Sequence, residues 1–494
     1  MHILLINVPI RLHDVPVNFP TGLGIIASVL EKRGHHISVI DINAHRYSEE
    51  DVMSLCTKAE ADVIGISGLI STYKYQLKLI SELKKSLPQT PVISGGGCAT
   101  SVPHLLMEYT PVDFLVIGEG ENTIVELIDA IEQKQQMDLV QGIAFRSDDK
   151  YVVTDTRPLE KDLDTFPMPA YHLFPTEIYR DNPIWSNYPN SMNIIATRGC
   201  PMDCHFCYNV FGKRSYRKRS KESIMEEVRF LKDTYDIEFV GFVDDNLTIH
   251  KKHLLEVCEA LEKENITWGC HGRVDTTDEE RLDAMKKSGC VWLGFGIESG
   301  SQKILKNMNK KITVQQAKDA IRKTREYGIF PNTTFILGYP GETIETIRES
   351  IQFKIDMEIL HSSFFATPYP GTQLWEEAKI RGLIGDEHEF VMSLNDATDF
   401  IVNFTDIPDD ELVRIRKRSF EELRIVFYFK HKEITKDTEA KFLANADKLL
   451  KQEFLLPAVK GHILMGLARF YQRNSNLAMA DQAKTAAQSF GVET

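Results

Sequence analysis

Three cysteines, Cys200, Cys204 and Cys207, stand in the run Arg198-Gly199-Cys200-Pro201-Met202-Asp203-Cys204-His205-Phe206-Cys207-Tyr208, spaced C-x₃-C-x₂-C. Three thiolates this close can wrap one corner of an iron–sulfur cube. A cube held by three cysteines keeps one iron open, and an open iron can bind a substrate or cosubstrate. A structural zinc site would want a fourth ligand nearby, and the neighbouring candidate, His205, sits inside the loop where it is poorly placed. The other five cysteines, Cys56, Cys98, Cys258, Cys270 and Cys290, are scattered. In a reducing compartment a cluster of cysteines points to metal rather than to disulfides.

The elements that must position this loop read as two βα series. Short β-branched runs at 3–7, 37–41, 63–67, 92–94 and 114–117 alternate with helix-period stretches such as 22–33 and 73–87. Such alternation predicts an α/β domain with a doubly wound parallel sheet over residues 1–150, its ligands at the carboxyl ends of the strands. Glycines mark those ends: Gly22 and Gly24, Gly65 and Gly68, Gly95 to Gly97, Gly118 and Gly120. Four such loops together favour a cofactor, since glycine lets a backbone approach a large ligand.

A Pro-rich stretch over 151–190 reads as a linker. Strands at 193–197, 239–243, 267–271, 291–297, 333–337 and 364–367 then alternate with helices near 221–234, 251–264, 277–288, 313–327, 343–357 and 372–382, which predicts a partial (β/α)6 barrel over 191–390. Thr313 with Gln316 forms a capping box and Gly328 a C-cap. Chemistry on such a scaffold belongs at the C-terminal ends of the strands, and the cysteine loop follows the first of them. Residues 391–494 are rich in helix formers and carry no motif.

Composition narrows the partners. Of 494 residues, 58 are Lys or Arg and 71 are Asp or Glu, a net charge of −13. That balance argues against nucleic acid or an anionic membrane as partner and for a small molecule. No apolar stretch approaches bilayer length, and the first residues lack the basic start of a signal peptide, so a cytoplasmic location is expected.

The cysteine spacing, followed by the aromatic Tyr208 on a loop after the first strand of a six-fold βα barrel, resembles the radical S-adenosylmethionine (SAM) superfamily. The resemblance implies a 4Fe-4S cluster on Cys200, Cys204 and Cys207, with Tyr208 beside it. SAM bound to the open iron would be reduced by one electron, giving methionine and a 5′-deoxyadenosyl radical. It further implies SAM contacts at the remaining strand ends: Asp244 and Asp245 towards the amino group, Arg273 towards the carboxylate, Glu298 and Ser299 towards ribose or methionine, and backbone near Gly338 towards adenine.

The order of parts is similar to the cobalamin-dependent members of that superfamily, whose N-terminal domain binds cobalamin. On that resemblance Gly22, Asp41, Ser67, Gly95, Gly96, Gly118 and Glu119 would contact cobalamin. The Asp-x-His-x-x-Gly signature of mutases and methionine synthases is absent after the first strand, where the chain reads Pro9-Ile10-Arg11-Leu12-His13-Asp14-Val15. His13 and His45 are weak candidates for an axial ligand, and Cys98 stands where relatives often carry histidine. The implied activity is methylation of an unactivated carbon of a small, natural-product-like molecule with two SAM per turnover. A cobalamin-dependent cyclase or ring-rearranging enzyme, and a non-catalytic cobalamin or iron–sulfur carrier, are the alternatives. A flavodoxin or ferredoxin-type protein would supply electrons. The basic run Lys213-Arg214-Ser215-Tyr216-Arg217-Lys218-Arg219 is either a solvated lead-in to a helix, or a group that holds phosphate or carboxylate groups or docks such an acidic donor.

Overall fold

The computed structural model describes residues 1–11, 14, 16, 18–147, 150–182, 188–211, 215–395, 397–431, 438–451 and 456–492. Seven strands form the N-terminal sheet: β1 (His2–Asn7), β2 (His36–Asp41), β3 (Val63–Ser67), β4 (Val92–Gly95), β5 (Phe114–Val116), β6 (Ile143–Ser147) and β7 (Lys150–Val153). Their order is β2-β1-β3-β4-β5-β6-β7, parallel through β5. The apolar run of β1 is buried from Ile3 onward because helices cover both faces of the sheet, as in doubly wound folds. Chain order reverses between β1 and β3, so the crevice beyond their carboxyl ends is the place for a ligand. The last two strands form an antiparallel hairpin on β5 that the βα reading of 1–150 does not contain.

Asp41, at the end of β2, anchors this sheet to the segment that follows it. It accepts hydrogen bonds from Asn7 Nδ2 (2.9 Å), Tyr179 Oη (2.7 Å) and the Ala44 amide (2.9 Å). Burial raises its pKa, and those three donors work against the rise.

The second sheet holds six strands in the order β15-β14-β13-β12-β11-β8, formed by β8 (Ser191–Ile194), β11 (Phe239–Phe242), β12 (Thr267–Gly272), β13 (Cys290–Glu298), β14 (Phe330–Leu337) and β15 (Phe364–Phe365). The pairs β8–β11, β11–β12, β12–β13 and β14–β15 are parallel, the curled half-barrel of six βα units. Between β8 and β11 lies a small antiparallel pair, β9 (Thr197–Arg198) and β10 (Arg217–Lys218). Helices Lys221–Tyr235, Lys251–Glu264, Glu279–Lys287, Val314–Glu326, Ile344–Asp356 and Gln373–Ile380 fall where their periodicity places them. The capping box is present, with Thr313 N donating to Gln316 Oε1 (2.8 Å) and Gln316 N to Thr313 Oγ1 (3.1 Å). Gly328 takes φ +67°, as a C-cap requires.

The chain forms two compact units. The first is Met1–Phe295 with Lys323–Asn332 and Thr367–Ile401; the second is Gly296–Arg322 with Thr333–Ala366 and Val402–Thr494. The second contains the helices Asp409–His431, Glu439–Leu450, Pro457–Arg473 and Leu477–Gln488. No described helix is long and apolar enough to cross a membrane.

Candidate functional site

The cysteine loop leaves the barrel sheet because β8 stops at Ile194 and a buried carboxylate takes over the next amides. Asp244, 3% exposed beyond the end of β11, accepts from Ala196 N (3.1 Å), Thr197 N and Thr197 Oγ1 (2.6 Å). Desolvation pushes its pKa up to about 6 against the pull of these donors. Gly199 then starts the loop at φ +84°, where a Cβ would lie 2.5 Å from the Ser215 carbonyl oxygen, so only glycine fits.

Within the loop the Cys207 amide donates to Cys204 O (3.1 Å), and the His205 carbonyl accepts from Leu374 N (2.9 Å) at the start of helix Gln373–Ile380. Cys200 and Cys204 are half-buried and Cys207 is exposed. A single tetrahedral ion with metal–sulfur bonds of about 2.3 Å would draw its sulfurs to about 3.8 Å of one another. The three thiols do not gather in that way: among the described residues only His35, Asp129 and Glu132 bring three ligand atoms within 4.8 Å of one another. A cube gives each thiolate its own iron, so spaced sulfurs on one short loop fit it.

Two charged side chains face this loop. Arg273, just beyond β12, holds Asp275 through Nε (2.8 Å) and Nη2 (3.0 Å). Burial works to lower its pKa, but Asp275 and then the Cys204 and Cys200 thiols outweigh it, and the pKa is raised. Asp245 is open to solvent beside Cys200, and the surrounding walls raise its pKa by desolvation. Burial also raises the Cys200 thiol, with Asp245 adding to the rise and Arg273 opposing it. A carboxylate and a guanidinium next to the thiols suit a zwitterionic amino-acid group such as that of SAM.

The same unit contains a cavity of about 340 Å³. Gly22, Gly65, Ser67, Gly95, Gly96, Gly118 and Glu119 from the N-terminal sheet line one part of it. Thr197, Arg198, Tyr208, Asp244 and Asp245 line another. A Cβ built on Gly22 or Gly118 would meet no atom within 4 Å, so both glycines open onto the cavity, a cradle that fits a large cofactor. Tyr208 bridges the cysteine loop and the short helix Gly96–Ser101 that follows β4: its hydroxyl donates to Gly97 O (3.0 Å) and lies 2.6 Å from Ser101 Oγ.

Glu298, Ser299 and Gly338 belong to the second unit, where each has protein partners. Glu298, at φ +71°, pairs with Lys310 Nζ (3.0 Å) and accepts from Thr334 Oγ1 (3.4 Å). The Ser299 hydroxyl turns to Ser350 Oγ (3.1 Å) and the Ser301 amide (3.1 Å). The Gly338 amide donates to Glu342 Oε2 (2.5 Å), whose carboxyl burial pushes up to about 7.

Asp41 is absent from the cavity lining, being committed to the buried network around Tyr179. His13, Lys213 and Arg214 lie outside the described residues. His45 packs on Tyr47, ring centroids 4.9 Å apart, and Cys98 is wholly buried, its thiol raised by burial and then lowered in part by Gln76. Arg217 and Arg219 of the basic run turn inward, to Glu119 and Glu227. Arg198, Arg217 and Glu121 also line the cavity; in the sequence Arg198 stands out only as part of the cysteine run and Arg217 as part of the basic run, and no local signal places any of the three at the cavity.

Comparison with known proteins agrees with this arrangement. Residues 194–353 match the radical SAM superfamily model and residues 8–128 the B12 binding domain model. A Pyrococcus horikoshii protein described as an uncharacterized methyltransferase is 32% identical over 425 residues, 85% of this chain and 89% of that protein. The chain belongs to the radical SAM superfamily. It is one of the members with an added B12-binding domain. A second relative of this radical SAM protein, the cytidylyl-2-hydroxyethylphosphonate methyltransferase of Streptomyces wedmorensis, is 28% identical over 78% of this chain and 83% of its own. The structure of TsrM, a radical SAM methyltransferase from Kitasatospora setae, shares the fold over 99% of both chains with a TM-score of 0.66 at 16% identity.

Proposed function

We propose that the protein is a cobalamin-dependent radical SAM methyltransferase that adds a methyl group to an unactivated carbon of a small molecule. One observation carries the reading: a single cavity is lined both by the glycine-rich strand ends of a B12-binding domain and by the tyrosine that follows Cys207. A bound cluster supplies one-electron reduction of SAM, and bound cobalamin supplies a transferable methyl group. Cys200, Cys204 and Cys207 would hold the cluster. Asp245 and Arg273 would orient the amino and carboxylate groups of SAM, with Asp244 fixing the strand end from which the loop departs. Gly22, Ser67, Gly95, Gly96, Gly118 and Glu119 would cradle the corrin, and the walls of the cavity would keep water from a radical.

Glu298, Ser299 and Gly338 remain proposed SAM contacts at the later strand ends. The cyclase alternative is weaker: the relative matched over 85% of this chain at 32% identity carries a methyltransferase name, whereas anaerobic magnesium-protoporphyrin IX monomethyl ester cyclases match 72%, 73% and 78% of it at 29%, 28% and 26% identity. Electrons would come from a flavodoxin or ferredoxin-type donor in the cytoplasm. With Arg217 and Arg219 turned inward, Lys218 is the exposed cation of the described part of the basic run.

The test is anaerobic reconstitution with iron, sulfide and hydroxocobalamin, desalting, and quantification of iron and cobalt. About four irons and one cobalt per chain, followed by methyl transfer from labelled SAM, is the expected result. Iron without retained cobalt would remove methyl transfer through cobalt.

A further inference from the structure

The cysteine loop is closed at its neck by two arginines. Arg198 and Arg217 are directly opposed in the antiparallel pair β9–β10, so everything from Gly199 to Tyr216, the three cysteines included, hangs from this pair. Like charges opposite one another across two strands repel, and both side chains are largely buried, at 17% and 9% exposure. The neck therefore needs a counter-charge, and the wall of the cavity provides it. Glu119 takes Arg217 with both oxygens (2.6 and 2.7 Å) and reaches Arg198 Nη1 at 3.4 Å. Glu121 takes Arg198 Nη2 at 2.6 Å. Burial works to lower the Arg198 pKa, and Glu121 followed by Glu119 outweighs it, so the pKa is raised. Arg217 also donates to the Glu160 carbonyl (2.7 Å), and Arg198 lies over the Phe166 ring.

Glu119 stands between Gly118, at φ +85°, and Gly120, in the loop after β5 that lines the cavity. Among the described residues it is the one carboxylate that bonds both arginines. We propose that Glu119 is a positioning residue that sets both ends of the cysteine loop from the cavity wall, so that filling the cavity tightens the loop. The proposal rests on the cobalamin reading above.

The experiment is hydrogen exchange of the 199–211 backbone in cluster-loaded protein, with and without saturating cyanocobalamin, alongside iron content and cyanocobalamin absorbance. In the wild type, cyanocobalamin slows exchange in the loop several-fold. In Glu119→Gln the loop exchanges about tenfold faster without cyanocobalamin and iron stays bound; cyanocobalamin binds more weakly, Glu119 being part of its cradle, and when added to saturation, as read by its absorbance, it leaves exchange in the loop unslowed. Glu119→Asp keeps the charge but cannot span both guanidiniums, so its response is intermediate. This variant decides the matter if Glu119→Gln does not accumulate as folded protein. A variant loop that responds like the wild type, or a wild-type loop that ignores bound cyanocobalamin, overturns the proposal alone. A wild type that binds no cyanocobalamin overturns the cobalamin reading and this proposal with it.

Discussion

Gly22→Ala separates stability from ligand binding in opposite directions. Gly22 is the second residue of helix Thr21–Lys32, outside the left-handed region, and its missing Cβ faces open cavity. Alanine in a helix is favoured over glycine by up to about 1 kcal/mol, part of it through the unfolded chain, so the ligand-free protein should gain about 0.5–1 kcal/mol. The same methyl occupies space that a corrin edge would use. Overfilling a packed contact costs about 1–3 kcal/mol, which predicts cyanocobalamin binding weaker by about fivefold to about 150-fold. Thermal unfolding without ligand and anaerobic titration by visible absorbance measure the two effects. Gly118→Ala is the control: at φ +85° an alanine is strained by about 1–2 kcal/mol, so stability and binding both fall. If Gly22→Ala is stabilised and binds cyanocobalamin like the wild type, the cavity at the strand ends is not where cobalamin sits.

Alanine at Cys200, Cys204 or Cys207 should abolish cluster assembly, read as lost iron and lost charge-transfer absorbance, while cyanocobalamin binding by the N-terminal sheet persists. Arg273→Met and Asp245→Asn should each weaken SAM binding about tenfold at unchanged iron content; unchanged affinity in both would misplace the SAM pocket. Asp244 gives a pH test. Its folded-state pKa of about 6 lies above the ordinary 3.8, so its contribution to stability is full below about pH 4 and is lost as pH rises through 6. The ionised carboxylate then costs about 3 kcal/mol. Asp244→Asn retains an acceptor for Thr197 and carries no charge, so the pH dependence of amide opening at Ala196 and Thr197 between pH 5 and 7 should flatten. A slope identical to the wild type would count against that account.

What the sequence makes legible is what local pattern encodes. Strand runs and glycine-marked ends locate the N-terminal sheet, and the C-x₃-C-x₂-C run locates the loop, because each signal lies within a few residues of the chain. The first barrel strand shows where this stops. Its apolar run suggests 193–197, yet β8 covers Ser191–Ile194, because Asp244, some fifty residues on, takes the Ala196 and Thr197 amides out of the ladder. Asp41 shows the same limit for chemistry. A carboxylate at a strand end reads alike whether it waits for a ligand or, as here, caps a short helix and holds a tyrosine from residue 179. The basic run is the sharpest case. Charges at 217 and 219 look like a solvated rim until the fold brings Glu119 and Glu227 to them. The cross-strand opposition of Arg198 and Arg217 exists only once β9 and β10 are in register. The counter-charge for that neck, Glu119 and Glu121, comes from the segment just after β5 of the other sheet, so the carboxylates that hold the cysteine loop in place are ones that no window of sequence around the cysteines contains.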